Sequence, residues 1–366
     1  MLDWSKYYLR DIPFVEFPNI RPDSKDDRIN GKIFSSSGME APYKKLLDFI
    51  EREKGICYVR SDSDVLGTGK SALMAAIYWH CKNDQKTNKT ILPAWVNVQD
   101  FRSITQLMGK VVDTLVFEQV TDRIIAQMKE TSVRAIDRSL RGEKLQRSPS
   151  ANLALSKILS TPKEELPWKY VNIRRSIPTV SAIELFEYLM VLFRTVDKRR
   201  VLICIDQFEE YVRYQRGAAG LERLGNDVND IMRMIQECGN LTFILTLHPV
   251  TQREFEKSAG RLIDSFGRIV DNAATVNPLK PNHLVEMAKT YIGHFRTQAA
   301  PARIGPLFPF EDDALEYVAK KSRGFPRDFI RYLHNAMIEA RLADEGKIDL
   351  GFIRRPVNLS RIGISD

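Results

Sequence analysis

Two periodicities of apolar residues alternate along the first three-quarters of the chain. The segment 40–54 places Leu46, Leu47 and Ile50 on one face, which is typical of an amphipathic helix. Short, strongly apolar runs typical of buried strands alternate with further helical stretches. The strand-like runs are 55–61, 91–101, 201–206, 240–249 and 274–279, and helical stretches between them include 71–82, 104–128 and 180–196. Such alternation predicts an α/β fold in which helices cover both faces of a parallel sheet.

The pattern becomes purely helical from residue 281 onward. Helical periods there cover 281–295, 311–322, 326–344 and 348–353, and no strand-like run separates them. We therefore predict four regions along the chain. They are an N-terminal arm over 1–39, an α/β core over 40–280 with a helical, partly basic insertion at about 102–180, a small all-helical lid over 281–355, and a C-terminal tail over 356–366.

The composition adds one feature to this picture, a surplus of positive charge. Of the 366 residues, 43% are apolar and 28% are charged, which is ordinary for a globular protein and excludes wholesale disorder. Lys and Arg number 55 against 47 Asp and Glu, so the net charge is +8. Basic residues cluster in 129–147, at Arg174 and Arg175, and over 198–200. These clusters fit either contacts with DNA phosphates or an ordinary solvated surface.

The cysteines and the apolar runs bear on the cellular compartment. The four cysteines form no Cys-x-x-Cys pair, and Cys57 and Cys204 lie in apolar runs where reduced thiols are commonly buried. No apolar run is long enough to predict a membrane span, and the first residues lack the pattern of a signal peptide. We therefore expect a cytoplasmic protein that does not insert into a membrane.

A glycine-rich loop between the first strand and the next helix carries the strongest chemical signal. Gly67-Thr-Gly-Lys70-Ser71 stands in the strand–loop–helix setting of a phosphate-binding loop. Glycines let backbone N–H groups converge on an anion, and the start of the helix adds positive potential. Lys70 is expected to contact the β- and γ-phosphates of ATP, and the Ser71 hydroxyl to ligate Mg²⁺. The predicted nucleotide-binding residues are Gly67, Thr68, Gly69, Lys70, Ser71 and Ala72.

A second signal is the carboxylate at the end of the apolar strand 201–206, Asp206. The carboxyl ends of parallel strands form the ligand-binding edge of an α/β sheet, so we expect Asp206 to hold Mg²⁺ directly or through water. Gln207 follows where many ATPases have a glutamate, and a glutamine orients water but cannot accept its proton. Glu209 and Glu210 are candidates for the general base, although each also fits a surface acid on the next helix.

Five sequence segments together resemble the motifs of an AAA+ type P-loop ATPase of the ASCE class. They are GTGKS, VLICIDQFEE, FILTLHP, PLKPNHLVEMAKTYI and GFPRDFIRYL, and the resemblance extends over about residues 40–355. The DQFEE segment is similar to the second acidic motif of STAND signalling ATPases. The helical end is similar to the lid of archaeal origin-recognition and transposition-regulator ATPases, without a winged-helix tail. The resemblance implies ATP and Mg²⁺ as cofactors, while Asp64 departs from it by replacing the usual first glycine of the loop.

The resemblance also implies roles for individual residues. Thr246 matches the polar sensor near the γ-phosphate, and Arg327 matches the lid arginine that reaches the nucleotide. Arg268 stands where such ATPases present an arginine finger to a neighbouring subunit, and Arg261 is the other candidate for this finger. A finger implies a ring or helical homo-oligomer. Each of these arginines also fits an ordinary surface position or ion pair.

Two functional hypotheses follow from the motifs. In the first, an ATPase oligomerises with nucleotide, acts on DNA as a switch or remodeller and recruits a partner protein of unknown identity. In the second, a STAND-like regulatory switch with slow turnover binds protein partners rather than DNA, for example in a prokaryotic defence or mobile-element system. Salt-dependent retention of duplex DNA in the presence of ATP discriminates between the two.

Overall fold

The computed structural model describes most of the arm, the glycine-rich loop, the sheet and the C-terminal helices. The described residues are 3–52, 55–61, 66–97, 103, 106–108, 110–111, 114, 200–208, 210–211, 220, 226–227, 230–232, 234–235, 239–247 and 273–364. The basic clusters at 129–147, Arg174 and Arg175 lie outside them. In the described part of the chain, no helix combines the length and the apolar character needed to cross a bilayer.

Five strands form one sheet in the described residues. They are β1 (Gly55–Arg60), β2 (Ile91–Asn97), β3 (Arg200–Asp206), β4 (Leu241–Thr246) and β5 (Ala273–Thr275), and their order in the sheet is β2-β3-β4-β1-β5. Strands β2 and β4 both run parallel to β3. Asn97 of β2 lies opposite Asp206, and Leu245 of β4 lies opposite Ile205. Strand β4 therefore lies between the strand that precedes the glycine-rich loop and the strand that ends in Asp206.

The apolar runs of the sequence become strands because both faces of the sheet are covered. All six residues of β4 are buried, and in β3 only the first residue, Arg200, is not. Branched side chains such as Val201, Ile203 and Ile205 fit a pleated surface that is buried on both sides.

One helix precedes β1 in the chain, and two helices lie between β1 and β2. They are α1 (Glu40–Arg52), α2 (Lys70–Asn83) and α3 (Gln85–Asn88). Helix α1 buries Leu46 and Ile50 as the pattern predicts, while Leu47 is only half-buried. Helix α2 starts directly after the glycine-rich loop, and its buried residues include Leu73 and Ile77.

In the described residues five helices follow β5, one more than the four helical periods that the sequence pattern predicts. They are α4 (Pro281–Phe295), α5 (Asp312–Lys321), α6 (Pro326–Leu342), α7 (Leu350–Ile353) and α8 (Pro356–Ile362). Proline stands in the first turn of α4, α6 and α8, where its missing N–H costs no hydrogen bond. Helix α8 lies in the segment predicted as a tail. The α/β class with a parallel sheet and a helical lid is thereby confirmed.

The chain divides into two compact units. The first comprises 1–47, 59–79 and 274–366, and so contains the arm, the glycine-rich loop and the lid helices. The second comprises 48–58 and 80–273, and contains β2, β3 and β4. The four-region division proposed from the sequence stays a prediction.

Candidate nucleotide-binding site

The glycine-rich loop turns on two glycines in left-handed conformation. Gly67 and Gly69 have φ of +93° and +98°, a region that a residue with a Cβ rarely adopts. Helix α2, of 14 residues, begins immediately afterwards at Lys70, and its first turn contains no acidic residue. The first N–H groups of a helix carry partial positive charge, and here no carboxylate of the helix neutralises it. The loop and helix start therefore have the backbone geometry and the charge that suit an anion.

A buried hydroxyl in the same loop lacks a partner. The Thr68 side chain is 1% exposed, and its Oγ1 makes no hydrogen bond within the described residues. Leaving a buried hydroxyl unsatisfied costs about 1–3 kcal/mol, so such groups are uncommon unless a ligand completes them. Lys70, two residues farther along the chain, is also buried. The residues of the loop fit a phosphate group, whose oxygens accept hydrogen bonds.

The first turn of α6 contacts the glycine-rich loop. The Arg327 N–H donates to the Gly67 carbonyl oxygen at 3.3 Å. This N–H can bond outside the helix because the first N–H groups of a helix have no partner within it. A Cβ added to Gly67 would lie only 2.7 Å from the Arg327 Cβ. The side chain of Arg327 therefore starts beside the loop, and the structure brings together two residues that the sequence assigned to nucleotide binding.

The turn that leads into α6 is held by the chain after β5. Gly324 has φ of +84°, and the Leu279 N–H donates to its carbonyl oxygen at 2.8 Å. A Cβ on Gly324 would lie 2.6 Å from the Leu279 carbonyl oxygen, so only glycine fits. Strand β5 ends at Thr275, whereas the apolar run in the sequence continues to residue 279. Pro278 has no N–H with which to bond to a neighbouring strand, and the Leu279 N–H bonds to Gly324 instead.

The N-terminal arm packs on helix α2 and on the loop, a contact that the sequence pattern did not predict. The Trp79 Nε1–H donates to the Asn30 carbonyl oxygen at 2.6 Å, and the Lys32 ammonium lies 4.6 Å from the Trp79 ring centroid. Farther along the arm, Met39 is buried, and a Cβ on Gly69 would lie 2.6 Å from its Cε. An arm that looks irregular in sequence thus has a defined place against the loop.

In the second unit, the ends of β3 and β4 are joined by a threonine hydroxyl. Asp206 and Thr246 are 3% and 2% exposed. The Thr246 Oγ1–H donates to Asp206 Oδ1 at 2.9 Å, and the same Oγ1 accepts the Gln207 N–H at 2.7 Å. Gln207 has φ of +58°, and its carbonyl oxygen accepts the Glu210 N–H at 2.9 Å, which starts the next helical turn. The structure brings Asp206, Gln207 and Thr246 together.

The donor set predicted for a metal ion fits Mg²⁺ by its chemistry. It consists of the Ser71 hydroxyl and the Asp206 carboxylate, both oxygen donors. Mg²⁺ is usually held by one or two protein oxygens together with phosphates and water, so a larger cluster is not required. Among the described residues, no group of three or more His, Cys, Asp or Glu side chains converges on one point.

Several predicted residues lie outside the described part of the chain, namely Asp64, Glu209, Arg261 and Arg268. Of the basic cluster 198–200, the structure describes Arg200. Its Nη2–H donates to the Glu51 carbonyl oxygen at 2.9 Å, and burial lowers the pKa of its guanidinium. Arg200 thus has a structural contact, which weakens its interpretation as a DNA-binding residue.

Comparison with known proteins gives similarity in fold alone. No protein-family profile and no curated protein sequence matches the chain. Its fold is similar to that of the ORC2 protein of Aeropyrum pernix in ADPNP–ADP complexes, with a TM-score of 0.57, 13% identity, and coverage of 98% of this chain and 73% of that one. It is also similar to a Walker-type ATPase of Pyrococcus abyssi, with a TM-score of 0.50, 14% identity, and coverage of 90% and 72%. The resemblance to archaeal origin-recognition ATPases, stated from the motifs, is confirmed at the level of fold.

Proposed function

We propose that the protein is an ATP-binding P-loop ATPase in which bound nucleotide controls assembly and action on DNA. The observation that carries the proposal is the loop 66–71, where two left-handed glycines lead into the start of α2. Two further features of the loop support it. The buried Thr68 hydroxyl has no partner within the described residues and so leaves a donor for a phosphate oxygen, and Arg327 bonds to Gly67 through its N–H. The similar fold of an ORC2 protein solved with ADPNP and ADP agrees with this assignment.

The roles of the residues follow from their chemistry. The backbone N–H groups of the loop and the Lys70 ammonium bind the β- and γ-phosphates, and the Ser71 hydroxyl and Asp206 carboxylate hold Mg²⁺. The bound ion would neutralise charge that develops on the transferred phosphoryl group. Gln207 orients the attacking water, and Glu209 or Glu210 accepts its proton. Arg327 links the position of the lid to the phosphates through a charge-assisted contact.

Action on DNA and self-assembly extend the proposal. The net charge of +8 favours a polyanionic partner, and contacts from the ATPase core would address backbone phosphates with little sequence preference. Arg268 is proposed as the finger that completes the site of a neighbouring copy, which requires a homo-oligomer. The assembly would act in the cytoplasm and recruit a further protein.

A slow regulatory switch is the second candidate, and one observation favours it. The residue after Asp206 is Gln207, whose amide cannot accept a proton, and its backbone is held in left-handed conformation by Thr246. An ATPase without a base at this position would change its conformation when it binds nucleotide, but would hydrolyse the nucleotide slowly. In that case the partner is a protein, as in STAND-like switches, and DNA is not bound.

Turnover measurements test the enzymatic claim. We expect ATP hydrolysis by the wild type, loss of it in Lys70→Ala, and a decrease of at least about ten-fold in Glu209→Gln if that residue is the base. A Glu210→Gln variant serves as the matched control for the choice of base. Equal turnover in wild type and Lys70→Ala would contradict the proposal.

DNA retention separates the two candidate functions. Under the first, duplex DNA retains the protein in the presence of ATP and Mg²⁺, and retention falls steeply as salt is raised. Size measurements with and without nucleotide should then show assembly that Arg268→Ala weakens. Nucleotide binding without any retention on DNA would favour the protein-binding switch.

A further inference from the structure

The hydroxyl of Thr246 makes one hydrogen bond as donor and one as acceptor, both with residues at the end of β3. It donates to Asp206 Oδ1 at 2.9 Å and accepts from the Gln207 N–H at 2.7 Å. A threonine hydroxyl has a single proton, so while it is given to Asp206 none remains for a phosphate oxygen. The prediction that Thr246 senses the γ-phosphate directly therefore does not fit this arrangement.

The two bonds fix two different parts of the site. The bond to Oδ1 sets the orientation of the Asp206 carboxylate, and the bond from Gln207 holds the peptide that follows it. Gln207 has φ of +58°, a conformation that costs a residue with a Cβ about 1–2 kcal/mol. The part-buried hydrogen bond from the Gln207 N–H to the Thr246 hydroxyl offsets part of that cost.

We propose that Thr246 is a positioning residue, which acts through Asp206 and Gln207 and does not contact the nucleotide. It holds the carboxylate in the orientation that receives Mg²⁺ and holds Gln207 where it faces the attacking water. This inference rests on the proposed function, because it assigns Asp206 to the metal ion of a bound nucleotide.

Strand β4 offers a matched control for the threonine. Thr242 lies four residues before Thr246, on the same face of the strand, and is likewise 2% exposed. Its Oγ1 makes no hydrogen bond within the described residues. Replacing either threonine by valine preserves shape and β-branching, so the two substitutions differ in whether a hydrogen bond is lost. Thr242→Val should be neutral or slightly stabilising, because it removes an unsatisfied buried hydroxyl.

The test is a Mg²⁺ titration of the binding of a fluorescent, non-hydrolysable ATP analogue. We expect Thr246→Val to need about ten-fold more Mg²⁺ for half-saturation, since a buried hydrogen bond to a charged group is lost. Thr246→Ser, which keeps the hydroxyl, should stay near the wild type, and so should Thr242→Val. With EDTA in place of Mg²⁺, all variants should bind the analogue with equal affinity, because the threonine does not contact phosphate.

The outcomes distinguish this inference from the proposed function. A Thr246→Val variant that titrates like the wild type, or that loses the same affinity in EDTA as in Mg²⁺, would overturn the positioning role. Failure of the wild type to bind the analogue at all would overturn the proposed function itself. If Thr246→Val does not fold, Thr246→Ala removes the same hydroxyl without steric demand and carries the same expectation.

Discussion

Single glycines decide whether the glycine-rich loop 66–71 can form. The positive φ of Gly67 already disfavours any side chain, and Arg327 occupies the space into which a Cβ would extend. Gly69 also has positive φ, but its Cβ would meet the flexible end of Met39, which can move aside. Gly67 is therefore the stricter of the two positions.

We predict that Gly67→Ala lowers the free energy of unfolding by at least about 1–2 kcal/mol and weakens nucleotide binding, because the loop must leave its left-handed turn. Gly293→Ala is the matched control, since Gly293 is exposed in α4, has no atom near its missing Cβ and lacks positive φ. It should stabilise the protein by about 0.5–1 kcal/mol. Denaturant unfolding measures both changes, and a neutral Gly67→Ala would contradict the account.

The site residues that the sequence predicted are those with a local signature. Lys70 and Ser71 follow glycines in a fixed order, and Asp206 ends an apolar strand, so neighbours in sequence are enough to select them as candidates. The bonding of Thr246 was missed because its partners are forty residues away in the chain, as the separations of 40 and 39 show. Spacing in a single sequence contains no information about such a contact.

Helix α6 contacts the glycine-rich loop at Arg327, through the backbone N–H and the base of the side chain. Arg327→Ala keeps the N–H bond to Gly67 but removes the guanidinium, so we expect near-normal ATP binding and at least about ten-fold slower hydrolysis. Arg331→Ala, one turn later and paired with Asp328, should leave both unchanged. Steady-state kinetics gives the two quantities separately. Equal kcat in the two variants would argue against a role for Arg327 at the phosphates.

Helix α8, in the C-terminal segment, packs against α6 and α7. Ile362 is fully buried, and the Asn358 side-chain amide donates to the Phe352 carbonyl oxygen at 2.8 Å. We predict that Ile362→Ala lowers the free energy of unfolding by about 2–4 kcal/mol through loss of packing. Val357→Ala in the same helix should change it by less than about 0.5 kcal/mol, because Val357 is 61% exposed. Thermal unfolding of the pair checks this, and similar effects of both would contradict the packing of α8.

The ends of a helix could be predicted from the sequence where a long helical pattern of apolar residues is bounded by a residue typical of a helix end, such as proline. Helix α4 begins at Pro281 and ends at Phe295, as the pattern indicates, because a proline marks its first turn. Helix α8 has seven residues, and of its apolar residues Val357 faces solvent while Ile362 is buried. A period cannot be recognised in so short a segment, and tertiary packing against α6 decides its structure.

Three cysteines among the described residues are buried, so the reactivity of their thiols reports on whether the chain is folded. Burial raises the pKa of the Cys81 thiol to about 12 and raises that of Cys204 as well, while Cys57 is also buried. A raised pKa means that the reactive thiolate is suppressed in the folded protein at about pH 8, the usual condition for thiol reagents.

We predict that Cys57, Cys81 and Cys204 react with a thiol reagent only when the protein unfolds, so their labelling should follow the denaturation curve. A Cys238→Ser background removes the signal of the remaining cysteine. Full reaction in concentrated guanidinium is the control. Rapid labelling of any of the three in the native protein would contradict their burial.

The central claim is that the loop 66–71 binds the phosphates of a nucleotide, and a calorimetric titration with Mg·ATP tests it most directly. We predict saturable binding by the wild type and a decrease in affinity of at least about ten-fold in Lys70→Ala, whose unfolding temperature without nucleotide should stay near that of the wild type. Equal affinity in the two proteins, or no binding by the wild type, would contradict the account.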